Sequence, residues 1–409
     1  MEKELNILWM IPKWTLPATD GARVATDRLL KNSVRAGAKV DCLFVHPEGE
    51  AYNIEELKAA WKIGTVSRVT RSYPSKKLPR LINFLKNFLC SPLTPLTISS
   101  FSGSRVRSEV KKELEGKSYD ILVLDALHLA ACFYDGKNFN WPSEVKRVVL
   151  REHNFEQELW YKAAIEESFL PFKLLLKFQA HLVRKFENKC LEEVSAIAAI
   201  SQEDLEEIKT IAPKTELTLA PLGLDFNNPL SREVVIEGRF LFVGKLDWPP
   251  NKDGLKWFLD NVWEEVVRAN PSYELQVVGS GNGTWLEAYR GMKGLLIQGF
   301  IDDIDDAYAP AEFTLIPMRY GSGTRIKVIE TYAKGRPIIT TKMGIQGADL
   351  DDSKVLLAET REEWVELLNG LRSLKTIDSD FQANRQRIAE KFDEVEVGVT
   401  FYSWLKQLL

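Results

Sequence analysis

Apolar residues fall into two rhythms along this chain. Short, nearly continuous apolar runs of strand length stand at 5–11, 40–45, 121–125, 145–150, 196–200 and 217–221. Between them lie longer stretches in which apolar positions recur every three to four residues, as at 22–36, which Gly37 closes. A second series follows, with strand-like runs at 239–243, 274–278, 295–298, 313–317 and 337–340, and helix-like patterns at 254–268 and 325–334. Runs apolar on both faces, alternating with helices, predict parallel sheets covered on both sides. The chain is therefore expected to be α/β, with two doubly wound domains. The break falls at the loop-like Asn227-Asn228-Pro229, so the expected domains are 1–226 and 227–385. The last helical pattern carries Phe401, Trp404, Leu405 and Leu408 at helical spacing, and its segment 386–409 is expected to cross back onto the first domain.

Length agrees with this division, because 409 residues exceed what one core usually serves. Composition is that of an ordinary globular protein, 45% hydrophobic and 27% charged. A net charge of −4 argues against a chain built as a whole to bind polyanions, and no nucleic-acid partner is expected. The four cysteines (Cys42, Cys90, Cys132, Cys190) are far apart and three sit in apolar contexts, which reads as reduced core thiols and a cytoplasmic chain. The four histidines (His46, His128, His153, His181) show no metal-ligand spacing. The opening Met-Glu-Lys-Glu leads straight into a strand pattern, so no secretory leader is expected, and no apolar run reaches the length of a membrane span.

The densest chemical signal is Gly321-Ser322-Gly323-Thr324-Arg325-Ile326-Lys327, between the apolar run 313–317 and a helix that ends at Gly335-Arg336-Pro337. Glycines between a strand and a helix N-terminus expose backbone N–H groups where the dipole favours an anion. Arg325 and Lys327 oppose that dipole, by about 0.3–1 kcal/mol each. Cations in so unfavourable a place point to a polyanionic ligand such as a diphosphate. Three further loops follow the same logic: residues 17–23 with Gly21 and Arg23, residues 243–252 with Gly244, Lys245 and Lys252, and Val278-Gly279-Ser280-Gly281-Asn282-Gly283. The last mimics a dinucleotide fingerprint, but the next strand ends in Gln298-Gly299-Phe300 with no acid for a ribose, so the dinucleotide reading fails. The acidic run at 302–306 reads as a helix start, not a metal site.

Together, FVGKLDWPPNKDGLKWFL, LQVVGSGNG, IQGFIDDI, PMRYGSGTRIKVIETYAKGRPIITT and GIQGADL resemble the GT-B glycosyltransferases, in particular the family-4 group of nucleotide-sugar transferases. Weaker likeness covers the Gly21 loop, LREHNFEQELW, AAISQEDLEEI and LAPLGLD. The resemblance implies two Rossmann-like domains facing a central cleft. It places Glu330 at the ribose, Lys245, Arg325 and Lys327 at the diphosphate, Gly299 and Phe300 at the nucleobase, and His153 near the transferred sugar. Gly21, Gly244, Lys252, Gly279, Gly321, Ser322, Gly323 and Thr324 complete the implied donor site. One departure stands out: Ser322 occupies the place of the first glutamate of the family's E-x7-E element, which leaves the identity of the sugar open.

The chemistry expected of such a site is electrostatic. Negative charge grows on the leaving β-phosphate as the glycosyl bond breaks, and fixed cations and amides aimed there favour the transition state. Lys245, Arg325 and Lys327 can do the work of a metal, so neither metal nor cofactor is expected beyond the nucleotide-sugar donor. Acceptor recognition is assigned to the first domain. There, residues 71–112 hold nine basic side chains (Arg71, Lys76, Lys77, Arg80, Lys86, Arg105, Arg107, Lys111, Lys112) against one acid, Glu109, interleaved with apolar residues. Such a patch suits an anionic membrane surface and a lipid-linked acceptor, hence a peripheral location at the inner face of the membrane. The apolar stretch 169–184, with lysines interspersed, admits two readings, a second membrane contact or an interdomain helix, and the helix is favoured. Two other functions are compatible with the pattern: a GT-B-shaped sugar-nucleotide epimerase, and a non-catalytic partner subunit. Release of nucleoside diphosphate from a nucleotide sugar separates the transferase from both.

Overall fold

A computed structural model describes residues 4–16, 21–49, 52–72, 94–321, 325–371 and 374–409. In the first part of the chain, strands β1 (Asn6–Ile11), β2 (Lys39–Pro47), β3 (Val66–Arg71), β4 (Tyr119–Leu124), β5 (Val145–Glu152), β6 (Ala196–Ala199) and β7 (Glu216–Leu219) form one sheet in the order 3-2-1-4-5-6-7. Every neighbouring pair is parallel. The helices are α1 (Gly21–Arg35), α2 (Ile54–Trp61), α3 (Ser104–Leu114), α4 (Glu156–Glu166), α5 (Leu170–Glu193) and α6 (Gln202–Ile211). Side chains alternate across β1 as the strand period requires. Ile7, Trp9 and Ile11 face a cluster with Leu29, Phe44 and Trp61, while Leu8 and Met10 face Leu43, Leu122 and Leu150.

The second sheet has the order 10-9-8-11-12-13, again all parallel. Its strands are β8 (Arg239–Val243), β9 (Glu274–Val278), β10 (Leu295–Gly299), β11 (Phe313–Ile316), β12 (Ile338–Thr340) and β13 (Leu356–Leu357). Helix α7 (Pro249–Phe258) continues through one π turn into α8 (Glu264–Ala269). It starts before the predicted 254 because two prolines fill its first turn, where no backbone N–H partner is needed. Then come α9 (Asp305–Tyr308), α10 (Ile326–Ala333), α11 (Lys342–Ile345), α12 (Arg361–Asn369), α13 (Leu374–Phe392) and α14 (Glu394–Gln407). The acidic run thus does become a helix start, and Asp305 pairs with Lys334.

The chain divides into two compact units, Met1–Gly223 with Val397–Leu409, and Leu224–Glu396. The division falls earlier than residue 226 because the Leu224 N–H donates to the Phe392 carbonyl at 2.7 Å and Leu224 bridges Asp393. The same pairing keeps 386–396 with the second unit, so the return to the first begins at Val397. From there Val397, Phe401, Tyr402 and Leu405 join the cluster around Trp9 and Leu29. A Cβ on Gly398 would lie 2.4 Å from Asn32 Cβ, so this glycine sets the close approach of α14 to α1. In each sheet the strand order reverses beside a central strand, at β1/β4 and at β8/β11, which opens a crevice at the carboxyl ends of those strands. Among the described residues no helix is long and apolar enough to cross a membrane.

Candidate active site

The crevice of the second unit is built from the loop after β8 and the helix after β11. Asn251, buried in the first turn of α7, donates its amide to the Lys245 carbonyl at 3.0 Å, and its Oδ1 accepts the Lys327 ammonium. A Cβ on Gly244 would come within 2.5 Å of the Asn251 amide nitrogen, and one on Gly279 within 1.8 Å of the Gly244 carbonyl. These two glycines are therefore required by packing at the strand ends. Lys327 sits in the first turn of α10, its ammonium 5.6 Å and 5.9 Å from the rings of Phe242 and Trp248. Burial, and then the Arg325 guanidinium, lower its pKa to about 8. Among the described residues its only hydrogen-bond partner is the neutral amide of Asn251.

Arg325 stands at the N-cap of α10 and is buried. Its Nε donates to the Met343 carbonyl at 3.1 Å, and its Nη2 lies 3.3 Å from the Met343 sulfur. Gly321, at φ +142, packs so closely that a Cβ there would lie 3.2 Å from both terminal nitrogens of Arg325. Ser322, Gly323 and Thr324 lie outside the described residues. The crevice thus gathers Gly244, Gly321, Arg325 and Lys327, with Asn251, which the sequence reading missed. The Lys245 side chain is mostly exposed, and its ammonium lies 3.6 Å from Asp247 Oδ1, so what Lys245 shares with Lys327 is its carbonyl, through Asn251. The ammonium of Lys252 is 6.0 Å from the Trp285 ring. Glu330 is half-buried on α10. Gly299 (φ +71) ends β10, accepts the Gly279 N–H at 2.8 Å, and leads to Phe300, 71% exposed.

The first unit has a cavity of about 610 Å³ at the ends of β1, β4 and β5. Its polar wall is organised by Asp125, the residue after β4. Asp125 Oδ1 accepts Arg151 Nη1 and His153 Nε2, both at 2.8 Å, and Oδ2 accepts the Thr26 hydroxyl at 2.6 Å from α1. Burial pushes the Asp125 carboxyl up, but Arg151, His153 and Thr26 outweigh it and hold the pKa well below the ordinary carboxylate range. His153 is moved down, first by burial and then by Arg151. It is neutral at pH 7, and the Asp125 carboxylate selects the tautomer with its proton on Nε2, leaving Nδ1 as acceptor. Beside it, Glu152 is 2% exposed, and its Oε2 has no hydrogen-bond partner among the described residues. Burial and the carboxylates of Glu187 and Glu156 push it well up, so it holds its proton. Sequence reading chose His153 but missed Asp125, whose signal was a lone acid closing an apolar strand. Gly21 opens α1, and among the described residues nothing lies within 4 Å of where a Cβ on it would stand.

The predicted basic face at 71–112 is corrected at its start. Arg71 is buried at the end of β3, donating to the Val45 carbonyl at 3.3 Å and the Ser100 hydroxyl at 3.0 Å and covering the Phe101 ring at 4.2 Å. Arg107 donates to the Tyr134 carbonyl at 2.9 Å. Lys76, Lys77, Arg80 and Lys86 lie outside the described residues.

Residues 237–374 match the family described as Glycosyl transferases group 1. The second unit thus carries a glycosyl transferases group 1 domain. The fold of the chain is GT-B: the Anabaena protein Alr3699/HepE, solved with UDP and glucose, superposes with a TM-score of 0.58 at 14% identity, covering 98% of this chain and 99% of that one. TarM gives 0.63 at 10% identity, and the pneumococcal O-GlcNAc transferase GtfA, solved with UDP and GlcNAc, gives 0.62 at 11%; each pair is covered over 99% of both chains. By sequence, the chain is 22% identical over 358 residues, 85% of each chain, to an uncharacterized 44.6 kDa protein in the cps region of Klebsiella pneumoniae. The matched family domain covers the crevice that holds Lys327.

Proposed function

We propose that the enzyme moves a sugar from a nucleoside-diphosphate sugar to a glycan or lipid-linked acceptor, with retention, without a metal, as a family-4-like transferase. The observation that carries this is Lys327, half-buried at a helix N-terminus beside Arg325, with a neutral amide as its only hydrogen-bond partner among the described residues. A diphosphate there gains two cations at a helix N-terminus, and the gain grows as the β-phosphate leaves. The bond from the sugar's anomeric carbon to the β-phosphate oxygen breaks, the acceptor oxygen bonds to that carbon from the same face, and the acceptor proton goes to the leaving phosphate. Glu330 holds the ribose hydroxyls and Phe300 covers the base. His153 steadies the transferred sugar, its Nδ1 free to accept a sugar hydroxyl. The first unit's cavity, with hydroxyls of Thr97, Ser99 and Ser100 beside Glu152, suits a polyhydroxyl acceptor. UDP in the structural neighbours favours a uridine donor, and the cps-region relative favours cell-surface polysaccharide synthesis, with the enzyme working from the cytoplasm at an anionic membrane surface. The test is release of UDP from a panel of UDP-sugars by the intact chain. Sugar interconversion without release would make it an epimerase, and no turnover of any donor would contradict the reading.

A further inference from the structure

Among the described residues, the largest gathering of exposed apolar side chains lies on one helical hairpin. Ile165, near the end of α4, and Phe169, Leu170, Phe172, Leu174 and Phe178, around the start of α5, are each between 38% and 66% exposed. Helix α5 is about 36 Å long by its residue count. Its buried side chains begin at Gln179 and include Leu182, Val183, Phe186, Cys190 and Leu191. The hairpin is nonetheless braced. The Glu187 carboxylate accepts the backbone N–H groups of Glu156 and Gln157 at 2.8 and 2.9 Å, and Lys173 Nζ donates to the carbonyls of Ile165 and Glu167, both at 3.1 Å.

We propose that this hairpin tip inserts into an anionic lipid bilayer and holds the enzyme at the membrane surface. Exposed apolar patches of this extent mark interaction sites. The arrangement selects a bilayer over a folded partner, because the exposed apolar residues at 169–178 sweep about 240° of the helix circumference at 100° per residue. A protein partner covers one stripe, whereas fluid hydrocarbon surrounds a tip. Charge selects the lipid. Between residues 168 and 186 there are four cations, Lys173, Lys177, Arg184 and Lys185, and no carboxylate, in a chain of net charge −4. Glu167, just before, has its Oε1 accepting the Phe169 N–H at 2.8 Å. Cations on the flank of an apolar tip reach back to phosphates at the interface. The inference deepens the membrane arm of the proposed function and does not depend on the donor chemistry.

The experiment is sedimentation of the intact chain with vesicles of phosphatidylglycerol and phosphatidylcholine, against phosphatidylcholine alone. The wild type binds the anionic vesicles, less tightly as salt rises. The double variant Phe172→Ser with Leu174→Ser binds at least about tenfold more weakly. Its hydrolysis of a UDP-sugar without vesicles equals that of wild type, which shows that it is folded. A Leu174→Trp variant gives a blue-shifted emission on adding the vesicles. No binding of wild type at low salt, equal binding by the double variant, or a dimer of the wild type that the double variant loses, would each overturn the proposal. Vesicle binding with no donor turnover would leave this inference standing and remove the transferase reading alone.

Discussion

The two crevices treat their charged side chains in opposite ways. In the first unit Arg151 is fully buried and meets a carboxylate on the spot, Asp125, which also receives Thr26 and His153. In the second, Lys327 and Arg325 are brought to the positive end of a helix, and the partner supplied to Lys327 is an amide. A carboxylate balances the buried charge of the first cluster, whereas a cation met by a neutral amide favours an arriving anion. The first cluster therefore reads as architecture that positions His153, and the second as a site for charge that arrives with the substrate.

Breaking the first cluster has the largest expected effect on stability. Asp125→Ala leaves the Arg151 guanidinium buried without its counter-charge and lowers unfolding free energy by about 3–5 kcal/mol, read by denaturant titration. A variant as stable as wild type would move Asp125 out of that structural role. In the second unit the contrast predicts the reverse. Lys327→Ala leaves the unfolding midpoint unchanged or slightly higher and lowers donor turnover about 10²-fold. Should turnover survive, Lys327 does not face the diphosphate. Glu330→Ala sharpens the assignment within α10, weakening nucleotide binding by about 2 kcal/mol in calorimetry, and an unchanged dissociation constant would remove the ribose contact.

The smallest effect is in pH. With its pKa lowered to about 8, Lys327 is charged at pH 7 and loses its proton as pH rises through that value. A bound diphosphate favours the charged form, so binding takes up a proton near pH 8 and affinity falls roughly tenfold between pH 7 and 9. Calorimetry in buffers of different ionisation enthalpy reads the proton directly, and a flat profile would contradict the coupling.

What was legible in the sequence was what local rules control. β8 and β9 stand at 239–243 and 274–278 as expected, because both their faces are buried and their apolar runs are continuous. β3, VSRVTR, escaped notice because an edge strand that is half exposed carries no such run. Lys327 was visible because it breaks a helix rule on its own. Asn251 and Asp125 were not, since each matters through a partner distant in sequence, Lys327 for the one, and Arg151 and His153 for the other. The stretch 169–184 was expected as a helix, and α5 does begin at Leu170. That its first turns stand clear of the core depends on where the rest of the unit ends, which no local pattern records.

The central claim is that Lys327 and Arg325 await a diphosphate. Crystals soaked with UDP test it most directly. The account predicts the two phosphates at the start of α10, with an oxygen within hydrogen-bond distance of Lys327 Nζ. Density for UDP elsewhere, with Lys327 still held by Asn251 alone, would contradict it.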